Sequence, residues 1–256
     1  EDRTVVTPHL GASTAEAQEN VALQVAEQMA DYLTTGAVVN ALNMPSVSAE
    51  EAPRLRPYMK LCAQLGSFAG QLTRSGLKGA HLTFAGHASE LNTRPLTASV
   101  LEALLRPISD SVNMVNAPLV ARERDIDVQV TTRDRVDGYT TLVTLVVETE
   151  GGTRSVSGTL VHGEQPRITE IRGIRMDAEL GPRMLYIRNR DLPGFIGRLG
   201  SALGDARINI ANFNLGREKQ GGEAIALLEV DQDVSAEAVA TLEAIPEVVQ
   251  VQRLRS

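Results

Sequence analysis

The sequence predicts a protein of mixed α/β and α+β class in three parts, residues 1–45, 46–181 and 182–256. The first part is a short β-branched run followed by a long helical pattern. The second mixes helical patterns with strands that alternate apolar and polar residues, and the third has the order βαββαβ. Helices and strands are told apart here by apolar periods of 3.6 and 2 residues.

Composition excludes several classes of protein. Hydrophobic residues make up 43% of the 256 residues and charged residues 22%, which is ordinary for a globular protein. The net charge is −7, there is no Lys/Arg-rich run, and aromatics are only 3%, so we expect no nucleic-acid partner. No stretch of 18 apolar residues is present, so we expect no membrane span and no membrane partner.

Cysteine and histidine usage indicates the compartment and the absence of a metal site. Cys62 is the single cysteine, so no disulfide can form within the chain, which fits a reducing, cytoplasmic location. The four histidines follow no metal-ligand spacing, so we predict no metal ion.

The first part predicts a strand ending at Pro8 and a helix from Ser13, as the capping residue, to about Thr35. Gly36 is a suitable residue to end that helix. Four-residue spacing of apolar side chains predicts one apolar stripe along it, formed by Val21, Val25, Met29 and Leu33.

The second part predicts helices at residues 50–76, 96–106 and 109–114 and strands at 81–87, 126–130, 142–147, 156–161 and 167–171. The buried face of its first helix is expected to comprise Leu61, Leu65, Phe68 and Leu72.

The third part predicts strands at 184–188, 209–215, 223–230 and 248–254. One helix follows Pro193 and Gly194 and runs to about Asp205, with inward residues Ile196, Leu199 and Leu203. The other is capped by Ser235. The βαββαβ order is the ferredoxin-like arrangement.

The loop between the first strand and first helix of this third part has the groups to hold an amino acid. Asp191 offers a carboxylate to an ammonium group, and Gly194 lets a ligand approach the backbone closely. The first amides of the helix are unpaired and attract a carboxylate. Asn189 and Asn209 are further polar candidates. Equally, an Asp-x-Pro-Gly run is a good turn before a helix, without any ligand.

The run Asn189–Gly197, Asn209-Ile210-Ala211 and the βαββαβ order resemble an ACT domain. The resemblance implies that an amino acid binds between the first loop and helix, commonly where two copies pair side by side. It implies effector contacts at Asn189, Asp191, Pro193, Gly194 and Asn209. Leu192 departs from the family, where many members have Arg, a role that Arg190 could take.

The middle part resembles the allosteric substrate-binding domain that precedes ACT in the long-form D-3-phosphoglycerate dehydrogenase family. Its matching motifs are Asn116-Ala117-Pro118 with Ala121, Ser157–Leu160, Pro166-Arg167-Ile168 and Asp177. The resemblance implies an anion site near the junction with ACT, for which Arg167 and Arg175 are the candidates and Arg172 a weaker one. Ile174 and Glu179 stand where relatives have further basic residues, and plain surface charge is an equally good interpretation of these arginines.

The run Thr7–Thr14 resembles the catalytic histidine segment of the D-isomer-specific 2-hydroxyacid dehydrogenases. Oxidising a secondary alcohol releases a hydride, which nicotinamide takes, and a proton, which a general base takes. Histidine suits the second task because its pKa lies near working pH. The resemblance implies that His9 is this base and that Gly11 and Ala12 lie beside the nicotinamide of NAD.

The family's catalytic Arg and Glu do not precede His9, no G-x-G-x-x-G links a strand to a helix, and the chain lacks a starting Met. We therefore expect a carboxyl-terminal part of a longer enzyme that by itself neither binds NAD tightly nor turns over. The resemblance implies 3-phosphoglycerate as the substrate of the longer enzyme, L-serine as effector and a homodimer or homotetramer. A stand-alone amino-acid-binding module and the regulatory part of a serine dehydratase are the alternatives.

Overall fold

The computed structural model describes residue 8 and residues 10–73, 76–136 and 138–255. The chain divides into two compact units, residues 1–56 and 57–256. The mixed class predicted from the sequence is confirmed, whereas the three-part division with boundaries at 45/46 and 181/182 stays a prediction. The predicted strand before Pro8 lies outside the described residues.

The first unit contains helix α1 (Ala15–Thr35), which ends at Gly36 as predicted. Its cap is Thr14 and not Ser13: the Thr14 hydroxyl accepts a hydrogen bond from the Ala17 amide at 3.1 Å, and Thr14 has the extended backbone that a capping residue needs. The apolar stripe of α1 exists but is exposed, with Leu33 at 78%.

Helix α2 (Ala52–Leu72) begins with a capping box that was not predicted. The Glu51 amide donates to the Ser48 hydroxyl at 3.2 Å, and the Ser48 amide donates to the Glu51 carboxylate at 3.1 Å. The predicted buried face is confirmed, since Leu61, Leu65, Phe68 and Leu72 are all buried.

A six-stranded sheet in the second unit lies beside the body of α2. Its strands are β1 (Leu77–Gly86), β2 (Asp127–Arg133), β3 (Thr141–Thr149), β4 (Gly152–Val161), β5 (Gln165–Ile171) and β6 (Ile174–Ala178). The spatial order is β2-β1-β3-β4-β5-β6, with β1 and β2 parallel and the other neighbours antiparallel. A side chain at Gly158 on β4 would come within 2.8 Å of Leu61, so α2 packs closely on the sheet.

Helices α3 (Thr93–Leu105) and α4 (Ala117–Glu123) complete this part, and α4 corrects one prediction. The helix predicted at 109–114 is absent, because Asn113 forms a turn there: its side-chain oxygen accepts from the amides of Val115 at 2.9 Å and Asn116 at 3.1 Å. The helix begins instead at Ala117, with Pro118 in the first turn, where its missing N–H is harmless. Strand β6 was not predicted.

Residues 183–255 form a second sheet of order β10-β7-β9-β8 with antiparallel neighbours, which confirms βαββαβ. Its elements are β7 (Arg183–Arg190), α5 (Phe195–Asp205), β8 (Ile210–Arg217), β9 (Glu223–Val230), α6 (Ala236–Glu243) and β10 (Val248–Arg255). Ser235 caps α6 as predicted. The inward residues of α5 are Phe195, Leu199 and Leu203, whereas the predicted Ile196 is 55% exposed.

The two sheets of the second unit meet through the face of the four-stranded sheet that carries no helices. Tyr186 on β7 packs edge-on against Phe68 of α2, with ring centroids 5.8 Å apart. Burial raises the pKa of Tyr186 to about 12. The Gln71 side chain donates to the Arg255 carbonyl at 2.7 Å and accepts from the Arg255 amide at 2.9 Å. β6 and β8 also lie close together, since a Cβ added at Gly216 would be 2.6 Å from the Arg175 carbonyl oxygen.

Candidate functional site

The candidate site is the loop that leaves the carboxyl end of β7 and enters α5. Asp191 is the first loop residue, and its side chain is only 21% exposed. One carboxylate oxygen accepts hydrogen bonds from Arg217 at 2.9 Å and from the Gly221 amide at 3.2 Å. These bonds, the one from Arg217 first, hold the pKa of Asp191 below its usual range. The loop therefore presents an ionised carboxylate whose second oxygen has no hydrogen-bond partner among the described residues.

Gly194 makes the turn into α5 with a φ of +88°, a conformation that favours glycine. The space beside its Cα is filled by Arg198, since a Cβ there would lie 2.9 Å from the Arg198 guanidinium. That guanidinium donates to the Pro193 carbonyl at 3.4 Å and forms an ion pair with Glu247, which is 8% exposed. On the outer side of α5, nothing lies within 4 Å of a Cβ added at Gly197, so that side of the helix start is open.

Asn189 lies under this loop on the helix side of β7 and is 1% exposed. Its amide group donates to the Arg190 carbonyl at 2.9 Å. Its side-chain oxygen is buried without a hydrogen-bond partner among the described residues. An unsatisfied buried acceptor is costly, so this atom is available to a donor.

Asn209 is not near this loop within one chain. β7 and β8 are both antiparallel to β9, so they run parallel to each other, and the start of β8 lies at the opposite end of the sheet from Asp191. Asn209 there donates to Asp231 at 2.6 Å and accepts nothing from the loop, while its amide donates to Gln232 at 2.7 Å. The structure thus brings together Asn189, Asp191, Pro193 and Gly194, and it adds Arg217.

Arg217 and Gly221 were missed in the sequence because they carry no motif. The chain topology does predict that Arg217 lies near the loop. In a βαββαβ fold the first and second strands run parallel with the third strand between them, so both strands finish at the same end of the sheet. Arg217 closes β8 at that end.

The two anion-site candidates differ in their surroundings. Arg167 on β5 faces the carboxylates of Asp177 and Glu179, each at 3.7 Å, so its charge is already balanced. Arg175 on β6 is exposed. Arg172, the weaker candidate, lies 3.9 Å from Glu223.

His9 lies outside the described residues, and Gly11 and Ala12 lie in an exposed turn. Two exposed residues do not make a dinucleotide site. No group of His, Cys, Asp and Glu suited to a metal ion occurs among the described residues. Within the same residues, no helix is both long and apolar enough to cross a membrane.

Comparison with known proteins identifies two domains. Residues 54–172 match the family described as D-3-phosphoglycerate dehydrogenase intervening domain. Residues 183–247 match the family described as ACT domain.

Several curated relatives carry one enzyme name. The D-3-phosphoglycerate dehydrogenase of Bacillus subtilis is 35% identical over 248 residues, 96% of this chain and 47% of that protein. The enzyme of Synechocystis sp. is 37% identical over 89% of this chain and 41% of its own length. The enzyme of Methanocaldococcus jannaschii is 33% identical over 98% of this chain and 48% of its own length. The chain thus spans a little under half the length of these relatives. It carries an intervening domain of the D-3-phosphoglycerate dehydrogenase family followed by an ACT domain, as in a carboxyl-terminal portion of the long form.

Proposed function

We propose that this chain is the regulatory part of a cytoplasmic, NAD-dependent D-3-phosphoglycerate dehydrogenase, whose ACT domain senses L-serine. The parent enzyme oxidises 3-phosphoglycerate to 3-phosphohydroxypyruvate, with His9 as the base that takes the hydroxyl proton and Gly11 and Ala12 beside the nicotinamide. The support is the match of two successive domains and three relatives of that name.

One observation carries the sensing role: the β7–α5 loop presents an ionised carboxylate beside the start of α5. The Phe195 amide there donates to the Leu192 carbonyl at 3.4 Å, whereas the amides of Ile196 and Gly197 have no acceptor among the described residues. The free oxygen of Asp191 accepts the ligand ammonium, and the first amides of α5 hold the ligand carboxylate. The buried oxygen of Asn189 is the acceptor left for a hydroxyl. L-Serine offers these three groups on one small molecule.

The site is completed by a second copy of the chain. β8 is an edge strand of the ACT sheet. Where two β8 strands run antiparallel side by side, the start of one lies beside the end of the other, so Asn209 of the second copy reaches Asp191 of the first. This arrangement gives Asn209 an effector role that it cannot have within one chain, and it supports a homodimer or homotetramer.

The anion site on the intervening domain is a weaker part of the proposal. Arg175 is exposed and free to meet a phosphate group, whereas Arg167 must first leave Asp177 and Glu179. We therefore place Arg175 as the principal contact of 3-phosphoglycerate there and Arg167 as a secondary one.

Isothermal titration of L-serine into the 256-residue chain tests the sensing role. The wild-type chain and Asp205→Ala, which removes an exposed acid at the far end of α5, are expected to bind alike. Asp191→Ala is expected to lose at least tenfold in affinity, because a charge-assisted hydrogen bond of about 1.5–3 kcal/mol disappears. Equal binding by wild type and Asp191→Ala would refute the assigned site.

A second experiment tests the parent activity. The natural gene product is expected to reduce NAD in the presence of 3-phosphoglycerate, with L-serine lowering the rate, and the 256-residue chain is expected to be inactive. Turnover by this chain alone would contradict the proposal.

A further inference from the structure

The effector loop is fastened to the turn between β8 and β9. The Asp191 amide donates to the Gly222 carbonyl at 2.9 Å, while the Asp191 carboxylate accepts from the Gly221 amide at 3.2 Å. Arg217, the last residue of β8, donates to the same carboxylate oxygen at 2.9 Å. Any ligand that draws this carboxylate toward itself therefore competes with both ends of the turn.

Glu223 follows this turn directly and lies between two arginines from different domains. Its carboxylate accepts from Nε of Arg188, on β7 of the ACT domain, at 2.7 Å. The same oxygen is 3.9 Å from Nε of Arg172, which belongs to the intervening domain. The bond from Arg188 holds the pKa of Glu223 below its usual range, so the carboxylate is ionised and attracts both arginines.

Arg172 occupies the tip of the β5–β6 hairpin, where it and Gly173 both have positive φ, +54° and +81°. Two such residues in succession make the tight hairpin turn. The Arg172 amide donates to the Ser155 carbonyl of β4 at 2.8 Å, which fixes the tip to the intervening sheet. The next strand, β6, lies against β8 so closely that a Cβ on Gly216 would be 2.6 Å from the Arg175 carbonyl oxygen.

We propose that Glu223 links the effector loop to the intervening domain, so that ligand binding at Asp191 changes the mobility of the β5–β6 hairpin through Arg172. This inference rests on the proposed amino-acid site and adds its route of regulation. Asp191 contacts Gly221 and Gly222, their neighbour Glu223 pairs with Arg172, and Arg172 is built into the hairpin.

The contacts of Asp191 and Glu223 set the direction in which ligand binding changes the Glu223–Arg172 contact. The ligand ammonium at the free oxygen of Asp191 draws on the charge of the same carboxylate, so the bonds from Arg217 and the Gly221 amide to its other oxygen weaken and the β8–β9 turn is free to move. Glu223 moves with the turn and stays with Arg188, its closer partner at 2.7 Å, while the longer contact to Arg172 weakens. Ligand binding therefore works against the Arg172 contact, and removing that contact makes binding easier, as linkage requires.

Two measurements on the 256-residue chain test this route, with L-serine as the probe. Arg172→Gln is expected to bind L-serine about threefold more tightly than wild type, since a partly exposed ion pair contributes little. Arg124→Gln, which removes an exposed arginine elsewhere in the intervening domain, is expected to bind as wild type does. Hydrogen exchange of residues 165–178 is expected to rise on L-serine binding in wild type and Arg124→Gln and to be insensitive to it in Arg172→Gln.

The outcomes separate this inference from the function on which it rests. If wild type binds L-serine but residues 165–178 exchange at unchanged rates, or if Arg172→Gln responds as wild type does, the route through Glu223 is wrong and the sensing role stands. If wild type does not bind L-serine, both fail. Glu223→Gln, which removes the central charge, is expected to match Arg172→Gln, and a Glu223→Gln chain that keeps the hairpin response would also overturn the route.

Discussion

Adding a single methyl group at Gly216 tests how tightly the ACT sheet is seated on the intervening domain. The Cβ of Gly216→Ala would lie 2.6 Å from the backbone oxygen of Arg175 and 2.8 Å from a methyl group of Ile174. A backbone oxygen cannot swing aside, so β6 or β8 must shift. Overpacking of this kind costs about 1–3 kcal/mol, partly offset by the roughly 0.5–1 kcal/mol that alanine gains over glycine in a strand.

We expect Gly216→Ala to lose about 1–2 kcal/mol, which corresponds to a melting temperature lower by about 3–6 °C for a unit of this size. Urea unfolding followed by far-ultraviolet circular dichroism measures it. Gly200→Ala on α5 is the matched control: nothing lies within 4 Å of its would-be Cβ, so it is expected to stabilise by up to about 1 kcal/mol. A Gly216→Ala chain as stable as wild type would refute the close approach of β6 and β8.

Three further predictions concern buried and paired groups. Glu247→Gln weakens the partly buried ion pair with Arg198, whose side chain is 45% exposed, and is expected to cost about 1 kcal/mol in urea unfolding. An unchanged urea midpoint would show that the pair does not contribute to stability. The folded-state pKa values of Asp191 and Glu223 are depressed, so the stabilisation from these carboxylates is present above about pH 4 and is lost as the pH falls through the folded-state values. The urea midpoint of the wild type should therefore drop more steeply in acid than the midpoint of an Asp191→Asn/Glu223→Gln chain. Cys62 is buried with a raised pKa, so a disulfide reagent should modify it slowly in the folded chain and rapidly in urea; fast labelling of the folded chain would place the thiol at the surface.

The spacing of apolar residues along the chain predicted most of the helices and strands, because the buried face of each element fixes that spacing. Leu61, Leu65 and Phe68 recur on one face of α2 and are buried, and the alternating residues of β3 are buried on one side. The errors fall where local hydrogen bonds decide instead. Asn113 uses its side chain to form a turn in place of the predicted helix. Strand β6 follows a two-residue turn at Arg172 that has only a weak signal in the sequence.

The site was predictable where a motif lies in one loop and unpredictable where distant segments meet. Asn189, Asp191 and Gly194 are neighbours in sequence and remain so in space. Arg217 reaches Asp191 across 26 positions through strand pairing, and Arg198 covers Gly194 because Glu247 holds it there. The chain topology separates Asn209 from this loop, which strand direction alone could have foretold.

A crystal structure of the chain grown with L-serine tests the central claim most directly. We expect the ligand ammonium within hydrogen-bond distance of the Asp191 carboxylate, with Arg217 drawn away from the 2.9 Å contact it makes without ligand. An Asp191–Arg217 pair left intact, with L-serine bound elsewhere or absent at saturating concentration, would contradict it.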